Sequence, residues 1–152
     1  MMIETTRLKI YPISADELKA LTEAQIDPIL QAAYREMLDG CLKHPEQFNW
    51  YTAWTMELKT TGETVGDLCF KGLNADGMVE IGYGTCSGYE GCGYMTEAVT
   101  ALCCWAMKQP GVSRVEAEAE EDNHASIRVL EKSGFRRTGS MGEEGPRFIL
   151  AV

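Results

Sequence analysis

The stretch that decides the fold runs from Gly82 to Ala98 and reads GYGTCSGYEGCGYMTEA. A strand pattern ends in it, a helix pattern begins in it, and Gly88, Gly91 and Gly93 lie between the two. Such a loop leaves backbone N–H groups free to converge on one point, where the positive end of the helix dipole is also directed. The stretch therefore predicts a site for a phosphate or a pyrophosphate.

The composition is that of an ordinary globular protein, with 45% apolar and 24% charged residues in a chain of 152. This length is typical of one domain, so we expect a single domain over residues 1–152. The formal charge of −9 argues against nucleic acid as the main partner, because binding phosphates needs a basic face. It fits a cationic partner better, although excess acid more often serves only to keep a surface hydrated.

Neither a metal site nor a membrane segment is expected from the sequence. The six cysteines form no C-x-x-C pair and show no other metal-ligand spacing, so we expect reduced and mostly buried thiols. The N-terminus has no apolar run, and no uninterrupted apolar run approaches the roughly 18 to 20 residues of a membrane span. We therefore expect a cytoplasmic protein that does not contact membranes.

The periodicity of apolar residues predicts seven strands and four helices. The predicted strands cover 7–13, 50–59, 64–73, 78–85, 113–119, 135–138 and 146–152. The predicted helices begin at Ser14, Asp27, Tyr94 and Asn123. In the second strand, Trp50, Thr52, Trp54, Met56 and Leu58 share one face, and its two tryptophans are more typical of a core than of a binding pocket.

The order of these elements predicts an α+β fold around one mixed sheet. The three strands between residues 50 and 85 form an antiparallel meander, because short turns connect them. The next helix connects the strand at 78–85 with the strand at 113–119, and such a crossover places two strands parallel. We expect the other strand pairs to be antiparallel, with about four helices flanking the sheet.

Two motifs occur at matching points of this order, GYEGCGYMTEA at 88–98 and NHASIRVLEKSGF at 123–135. Together they resemble the GNAT superfamily of acyl-CoA N-acyltransferases, in particular the branch of ribosomal-protein N-terminal acetyltransferases. The segments ETTRL at 4–8 and EIGY at 80–83 are also similar to that branch. The resemblance extends over essentially the whole chain, and the second motif is the more specific of the two.

The resemblance implies a GNAT-like fold in which the parallel strands splay apart at a site for acetyl-CoA or coenzyme A. Gly91 and Gly93 match the two glycines of the family's pyrophosphate loop, whereas Gly88 occupies a position that usually holds Gln or Arg. Backbone N–H groups near Gly84 would hold the pantetheine arm and the thioester oxygen. The cofactor-binding residues implied in this way are Tyr83, Gly84, Thr85, Gly88, Gly91, Cys92, Gly93, Tyr94, Met95, Thr96, Asn123 and Ser126.

The catalytic assignments are Glu80 as general base, directly or through water, and Ser126 as the acid that protonates the departing thiolate. Many family members have a tyrosine where this chain has Leu130, so the usual acid is absent. Because a thiol has a pKa near ~8.5, thiolate is a tolerable leaving group without one. Glu80 could instead make a structural hydrogen bond, and the acids of the strand at 113–119 and the histidines 44 and 124 are weaker candidates.

The substrate would be a primary amine, either a small molecule or a peptide N-terminus, attacked directly in a ternary complex. In this family the N-terminal helices and the loop after them shape the acceptor site, which implies Tyr34, Phe48 and Tyr51. The enzyme would act as a monomer or homodimer. Two alternatives stay open: a non-catalytic acyl-CoA-binding module, and a nucleotide-binding protein, although the loop spacing is G-x-x-G-x-G and not G-x-G-x-x-G.

Overall fold

The computed structural model describes residues 1–151, which form one eight-stranded mixed sheet and four α-helices. The strands are β1 (Ile3–Glu4), β2 (Leu8–Pro12), β3 (Ala53–Leu58), β4 (Thr64–Leu73), β5 (Met78–Thr85), β6 (Arg114–Glu118), β7 (Arg136–Met141) and β8 (Pro146–Ala151). The helices are α1 (Ala15–Ala24), α2 (Pro28–Lys43), α3 (Tyr94–Met107) and α4 (His124–Lys132), and a 3-10 segment (Pro45–Trp50) follows α2.

The sheet order is β1-β2-β3-β4-β5-β6-β8-β7, in which β5 and β6 are parallel and the remaining neighbours are antiparallel. Helix α3 connects β5 to β6, and a helical crossover of this kind returns the chain in the same direction. The predicted mixed sheet, its one parallel pair and its four helices are thus confirmed.

Two apolar clusters stabilise the sheet from opposite faces. The larger one places the apolar side of α3, including Val99 and Leu102, against β2 to β6. The smaller one contains Leu18 of α1 and Cys41 of α2. Ala53 belongs to the smaller cluster and its neighbour Trp54 to the larger, and successive strand residues point to opposite faces.

Side-chain caps fix where three of the helices begin. Ser14 accepts a hydrogen bond from the Glu17 N–H, and Asp27 accepts one from the N–H of Ile29, directly before a proline at the first helical position. Asn123 caps α4 in the same way. Each cap satisfies an N–H group that has no partner within the helix, so the predicted starts are confirmed.

The predicted strand at 50–59 was wrong at its beginning, because β3 starts at Ala53. The N–H groups of Tyr51 and Thr52 both donate to the carbonyl oxygen of Phe48, which holds this segment in a 3-10 turn. Trp50 lies in the 3-10 segment, and its side chain is buried against the rings of Phe70 and Trp105. Because Trp50 is buried two residues after Phe48 and four before Trp54, the sequence shows the alternation of a strand although the segment is not one. The prediction that both tryptophans lie in the core is confirmed.

The sheet ends also differ from the sequence-based ranges. The two-residue strand β1 is too short to produce a pattern and was missed. The predicted strand at 135–138 is longer, since β7 continues to Met141, with all of its residues exposed. In the predicted strand at 146–152, Val152 lies outside the described residues.

Candidate active site

The site lies where β5 and β6 separate. Their parallel pairing includes Val79 with Val115 and ends with Glu80 opposite Glu116. Beyond this point β5 continues to Thr85 in register with β4, while β6 continues in register with β8. The splayed strand pair expected from the sequence is therefore present, and cavities lie on both sides of the opening.

The larger cavity, about 700 Å³, lies between the end of β5, the glycine loop and the starts of α3 and α4. Most of the residues predicted to bind a cofactor line it. They are Tyr83, Gly84, Thr85, Gly91, Gly93, Tyr94, Met95, Thr96, Asn123 and Ser126. Gly88 and Cys92 were also predicted, and they stand in the same loop but not among the lining residues.

The glycine loop enters α3 through backbone conformations that favour glycine. Gly93 caps the helix with φ of 82° and no side-chain hydrogen bond, so N–H groups of the first turn remain available to a ligand. Gly88 has φ of 93°, a region in which an L side chain is strained. This accounts for glycine at the position where the resemblance implies Gln or Arg.

Two cations of α4, Arg128 and Lys132, also line the larger cavity, and sequence analysis did not assign them to the site. They are four residues apart and so share one face of the helix. Together with the N-terminus of α3, they place positive charge around this cavity, although the protein as a whole has a net negative charge. The spacing of Arg128 and Lys132 could have indicated a basic helix face at the site, but the same spacing of cations is common on helices that only face solvent.

Tyr83 and Ser126 meet at the inner end of this cavity. Their hydroxyl oxygens share a hydrogen bond of 2.9 Å, and the Tyr83 hydroxyl also lies 3.2 Å from the Ser126 carbonyl oxygen. Burial raises the pKa of Tyr83, and the hydrogen bond with Ser126 offsets only part of this effect. Asn123 holds Ser126 in place, since its side chain accepts the Ser126 N–H at 3.1 Å.

Leu130 is fully buried in the larger apolar cluster. The position that often carries a tyrosine in relatives therefore contributes to the core here and adds no proton donor to the cavity. Tyr83 approaches from β5 instead, and its hydroxyl lies beside Ser126.

The smaller cavity, about 300 Å³, lies on the other side of the opening and shares Tyr83 and Asn123 with the larger one. Half of its remaining lining residues are glutamates, and the lining comes from β4, β5, the end of β6 with the residues after it, and the β7–β8 connection. The charged residues that line it are Lys71, Glu80, Glu118, Glu120 and Glu144.

Glu80, the predicted base, lines the smaller cavity with both carboxylate oxygens in ion pairs. Oε2 accepts from Lys71 Nζ at 2.6 Å, and Oε1 accepts from Arg147 Nη2 at 2.9 Å. The Lys71 side chain is 56% exposed, whereas that of Arg147 is only 18% exposed. The bond to Lys71 is therefore the one that a ligand can displace more easily.

Arg147 of β8 connects the two separated strands. Besides Glu80 of β5, its guanidinium contacts Glu116 of β6 at 2.9 Å and also Glu118. Burial alone would raise the pKa of Glu116, but hydrogen bonds and charge from Arg114 and Arg147 outweigh it and hold this pKa below its usual range. One guanidinium thus holds three carboxylates together at the point where the sheet opens.

The residues predicted to line an acceptor pocket, Tyr34, Phe48 and Tyr51, are half-buried and pack against the smaller apolar cluster. Tyr34 donates to Asp67 at 3.0 Å, and burial together with that carboxylate raises its pKa. Tyr51 stacks on His44 with ring centroids 4.8 Å apart. The structure places all three outside the linings of the two cavities.

Within residues 1–151, no group of three or more His, Cys, Asp or Glu side chains is arranged to hold a metal ion. No helix in the same range is both long and apolar enough to cross a membrane. The six cysteines are unpaired thiols, but the expectation that most are buried was wrong, since only Cys41 and Cys103 are buried and three of the others are exposed. Burial raises the pKa of Cys103 to about 12.

A model of the acetyltransferase (GNAT) domain family matches residues 7–136. The chain belongs to the GNAT acetyltransferase family. YjdG, an uncharacterised N-acetyltransferase of Bacillus subtilis (strain 168), is 38% identical to this chain in an alignment that covers 89% of each protein. The family match and this relative identify the chain as an acetyltransferase.

Solved structures of GNAT proteins share the whole fold. A GNAT-family acetyltransferase from Bacillus anthracis superposes with a TM-score of 0.73 at 22% identity, covering 99% of this chain and 98% of the other. A RimL ribosomal L7/L12 alpha-N-protein acetyltransferase in complex with coenzyme A gives 0.77 at 17% identity, covering 100% and 98%. GNAT enzymes take the acetyl group from acetyl-CoA, and the lining of the larger cavity suits such a donor.

Proposed function

We propose that this enzyme transfers the acetyl group of acetyl-CoA to a primary amine by direct attack in a ternary complex. The observation that carries the proposal is that two cavities on opposite sides of the splayed strands share Tyr83 and Asn123. A donor in the larger cavity and an acceptor in the smaller one would meet at these residues. Proximity of this kind removes much of the entropic barrier to a bimolecular reaction.

The donor side combines the groups that a coenzyme A molecule needs. The N-terminus of α3 and the loop around Gly91 and Gly93 would hold the pyrophosphate, with Arg128 and Lys132 supplying countercharge. The backbone of Tyr83 to Thr85 would hold the pantetheine arm. When bound, acetyl-CoA supplies a thioester whose acetyl carbon bonds to the amine nitrogen as the C–S bond breaks, and the sulfur then takes up one proton.

Tyr83 and Ser126 are the proposed source of that proton. A tyrosine hydroxyl is protonated at neutral pH, and burial raises the pKa of Tyr83 further, so this group is present in the acid form that a proton donor needs. Ser126 shares the hydrogen bond, so a proton given up by the Ser126 oxygen can be replaced from Tyr83. This pair would serve in place of the tyrosine that is absent at Leu130.

The acceptor side favours an amine that carries positive charge. Four glutamates line the smaller cavity, and among its lining residues only Lys71 opposes them. Glu80 stays the proposed base, directly or through water, after its exposed Lys71 partner has been displaced. Tyr34, Phe48 and Tyr51 do not line this cavity, so any contact with the acceptor would involve its distal part.

The test is release of free thiol from acetyl-CoA in the presence of an amine panel. We expect polyamines and basic peptides to react faster than monoamines of similar pKa that carry no second positive charge. Glu80→Gln and Tyr83→Phe should each lower kcat by about 10²- to 10⁴-fold, the usual contribution of a positioned acid or base. Glu36→Gln, an exposed acid of α2, is the matched control and should change nothing.

Two results would contradict the proposal. Coenzyme A could raise the melting temperature while no amine of the panel causes release of thiol, which would indicate cofactor binding without acetyl transfer. Alternatively, monoamines could react as well as polyamines and basic peptides, which would contradict the assignment of the acidic cavity to the acceptor.

A further inference from the structure

Arg7, the residue directly before β2, reaches across to the glycine loop. Its Nη1 donates to the carbonyl oxygen of Cys92 at 3.1 Å, and its Nε donates to Oε1 of Glu97 at 2.9 Å. The guanidinium carbon also lies 4.4 Å from the centre of the Tyr94 ring. These contacts join the beginning of the chain to a loop 85 residues further along.

The bond to Cys92 fixes the direction of one peptide group. In a trans peptide the carbonyl oxygen and the following N–H point in opposite directions. Because Arg7 holds the Cys92 oxygen on the β2 side, the N–H of Gly93 faces away from β2. Gly93 lines the larger cavity and begins α3, so this N–H belongs to the group that can bind an anion.

Glu97 holds the arginine in this position. It lies in the first turn of α3 and accepts hydrogen bonds from the Thr5 hydroxyl, the Arg7 N–H and the Arg7 side chain. Burial would raise the pKa of Glu97, but these donors outweigh it and hold the pKa below its usual range, so the carboxylate is an anion at neutral pH. Glu97 thus balances the charge of Arg7, so Arg7 acts on the loop through the hydrogen bond to Cys92 and not through free positive charge.

We propose that Arg7 is a positioning residue for the pyrophosphate site. It holds the Cys92–Gly93 peptide so that the Gly93 N–H faces the phosphates of the donor. Position 88 offers no side chain to support the loop, and Arg7 provides that support from outside it. The inference rests on the proposed function, because it presumes that coenzyme A binds in the larger cavity.

The experiment compares ligands with and without the pyrophosphate. Affinities of coenzyme A and of pantetheine are measured by calorimetry, with competition titrations for the weaker ligand. In Arg7→Gln, we expect the Kd of coenzyme A to rise by about tenfold or more, as for loss of one charge-assisted hydrogen bond. The Kd of pantetheine should stay unchanged, and so should both affinities in Arg35→Gln, an exposed arginine of α2.

A second variant separates orientation from charge. Arg7→Lys keeps the cation but cannot donate to Glu97 and Cys92 in the same fork, so we expect it to lose coenzyme A affinity as Arg7→Gln does. Full affinity in Arg7→Lys would overturn the positioning role in favour of simple charge. Equal losses for coenzyme A and pantetheine would overturn it in favour of general distortion of the fold.

The outcomes also separate this inference from the proposed function. If the unchanged protein bound no coenzyme A, the proposed function would fail together with the inference. If the unchanged protein bound coenzyme A and Arg7→Gln bound it equally well, only the role of Arg7 would be wrong.

Discussion

Replacing Arg147 by methionine should destabilise the protein strongly, because it removes the only cation that contacts Glu118 among the described residues and one of two that contact Glu80 and Glu116. The side chains involved are 12–18% exposed, so solvent screens these pairs only in part. At an effective dielectric constant of about 20, each contact is worth roughly 4 kcal/mol before desolvation.

The net cost is smaller than the sum of these attractions. Removing one partner of a buried ion pair typically costs about 3–5 kcal/mol, since a charge stays behind without its partner. Here Lys71 and Arg114 continue to neutralise Glu80 and Glu116, so we expect a loss of about 2–4 kcal/mol for Arg147→Met. For a domain of this size that corresponds to a fall in Tm on the order of 10 °C.

The assay is thermal and urea unfolding at pH 7 and low salt, with Arg35→Met as the matched control. Arg147→Lys should fall between the two, because an ammonium keeps the charge but not the fork of donors. Adding Glu118→Gln to Arg147→Met should recover part of the loss, since it removes the carboxylate that has no other cation among the described residues.

The pH dependence gives a second measurement. The pKa values of Glu116 and Glu118 in the folded state lie below their usual range. Burial acts to raise both pKa values, whereas the contact with Arg147 lowers both. Stability from such groups is present above the unfolded pKa of about 4.3 and is lost as the pH falls through the folded pKa. The difference between Arg147→Met and the unchanged protein should therefore narrow below about pH 4. A Tm change of under about 2 °C at pH 7, or a difference that does not vary with pH, would refute the reasoning.

Two further predictions concern the loop and the buried leucine. Gly91 has φ of 75° and open space at the position of a Cβ, so Gly91→Ala should cost about 1–2 kcal/mol of backbone strain and leave coenzyme A binding measurable. Gly91→Glu should add charge repulsion and abolish that binding in calorimetry, and equal affinities in the two variants would contradict the loop assignment. Leu130→Tyr installs the tyrosine seen in many relatives, but position 130 is fully buried, so we expect a loss of about 1–3 kcal/mol from overpacking and no gain in kcat, whereas Leu130→Met should cost less than about 1.5 kcal/mol. A faster and equally stable Leu130→Tyr enzyme would show that this position does face the reacting groups.

Local signals were enough to predict most of the fold. Ser14, Asp27 and Asn123 are recognisable caps because the side chain and its backbone partner are two or three residues apart. The closely spaced glycines at 91 and 93 likewise indicate a loop before a helix from neighbouring residues alone. The segment around Trp50 could not be read in this way, since the burial of its ring depends on Phe70 and Trp105, which are distant in sequence.

The lining of the larger cavity was more predictable than that of the smaller one. The predicted residues that line the larger cavity come from two continuous segments, 83–96 and 123–126, each of which leads into a helix. The charged residues of the smaller cavity come from separate parts of the chain, with Lys71 on β4, Glu80 on β5, and Glu144 in the β7–β8 connection, and no local sequence pattern relates them. The contacts of Arg7 and Arg147 likewise span 29 to 90 residues of sequence.

The division of the site between different elements has an evolutionary consequence. Both cavities use β5 and Asn123, but only the larger one uses α3 and the glycine loop, and only the smaller one uses β4, β6 and the connection that contains Glu144. Gly145 in that connection lies so close to the Ala119 carbonyl that a Cβ would come within 2.3 Å of its oxygen, which keeps the connection against the end of β6. If the smaller cavity holds the acceptor as proposed, substitutions in this connection would change acceptor preference while leaving the glycine loop and the start of α3 unaltered.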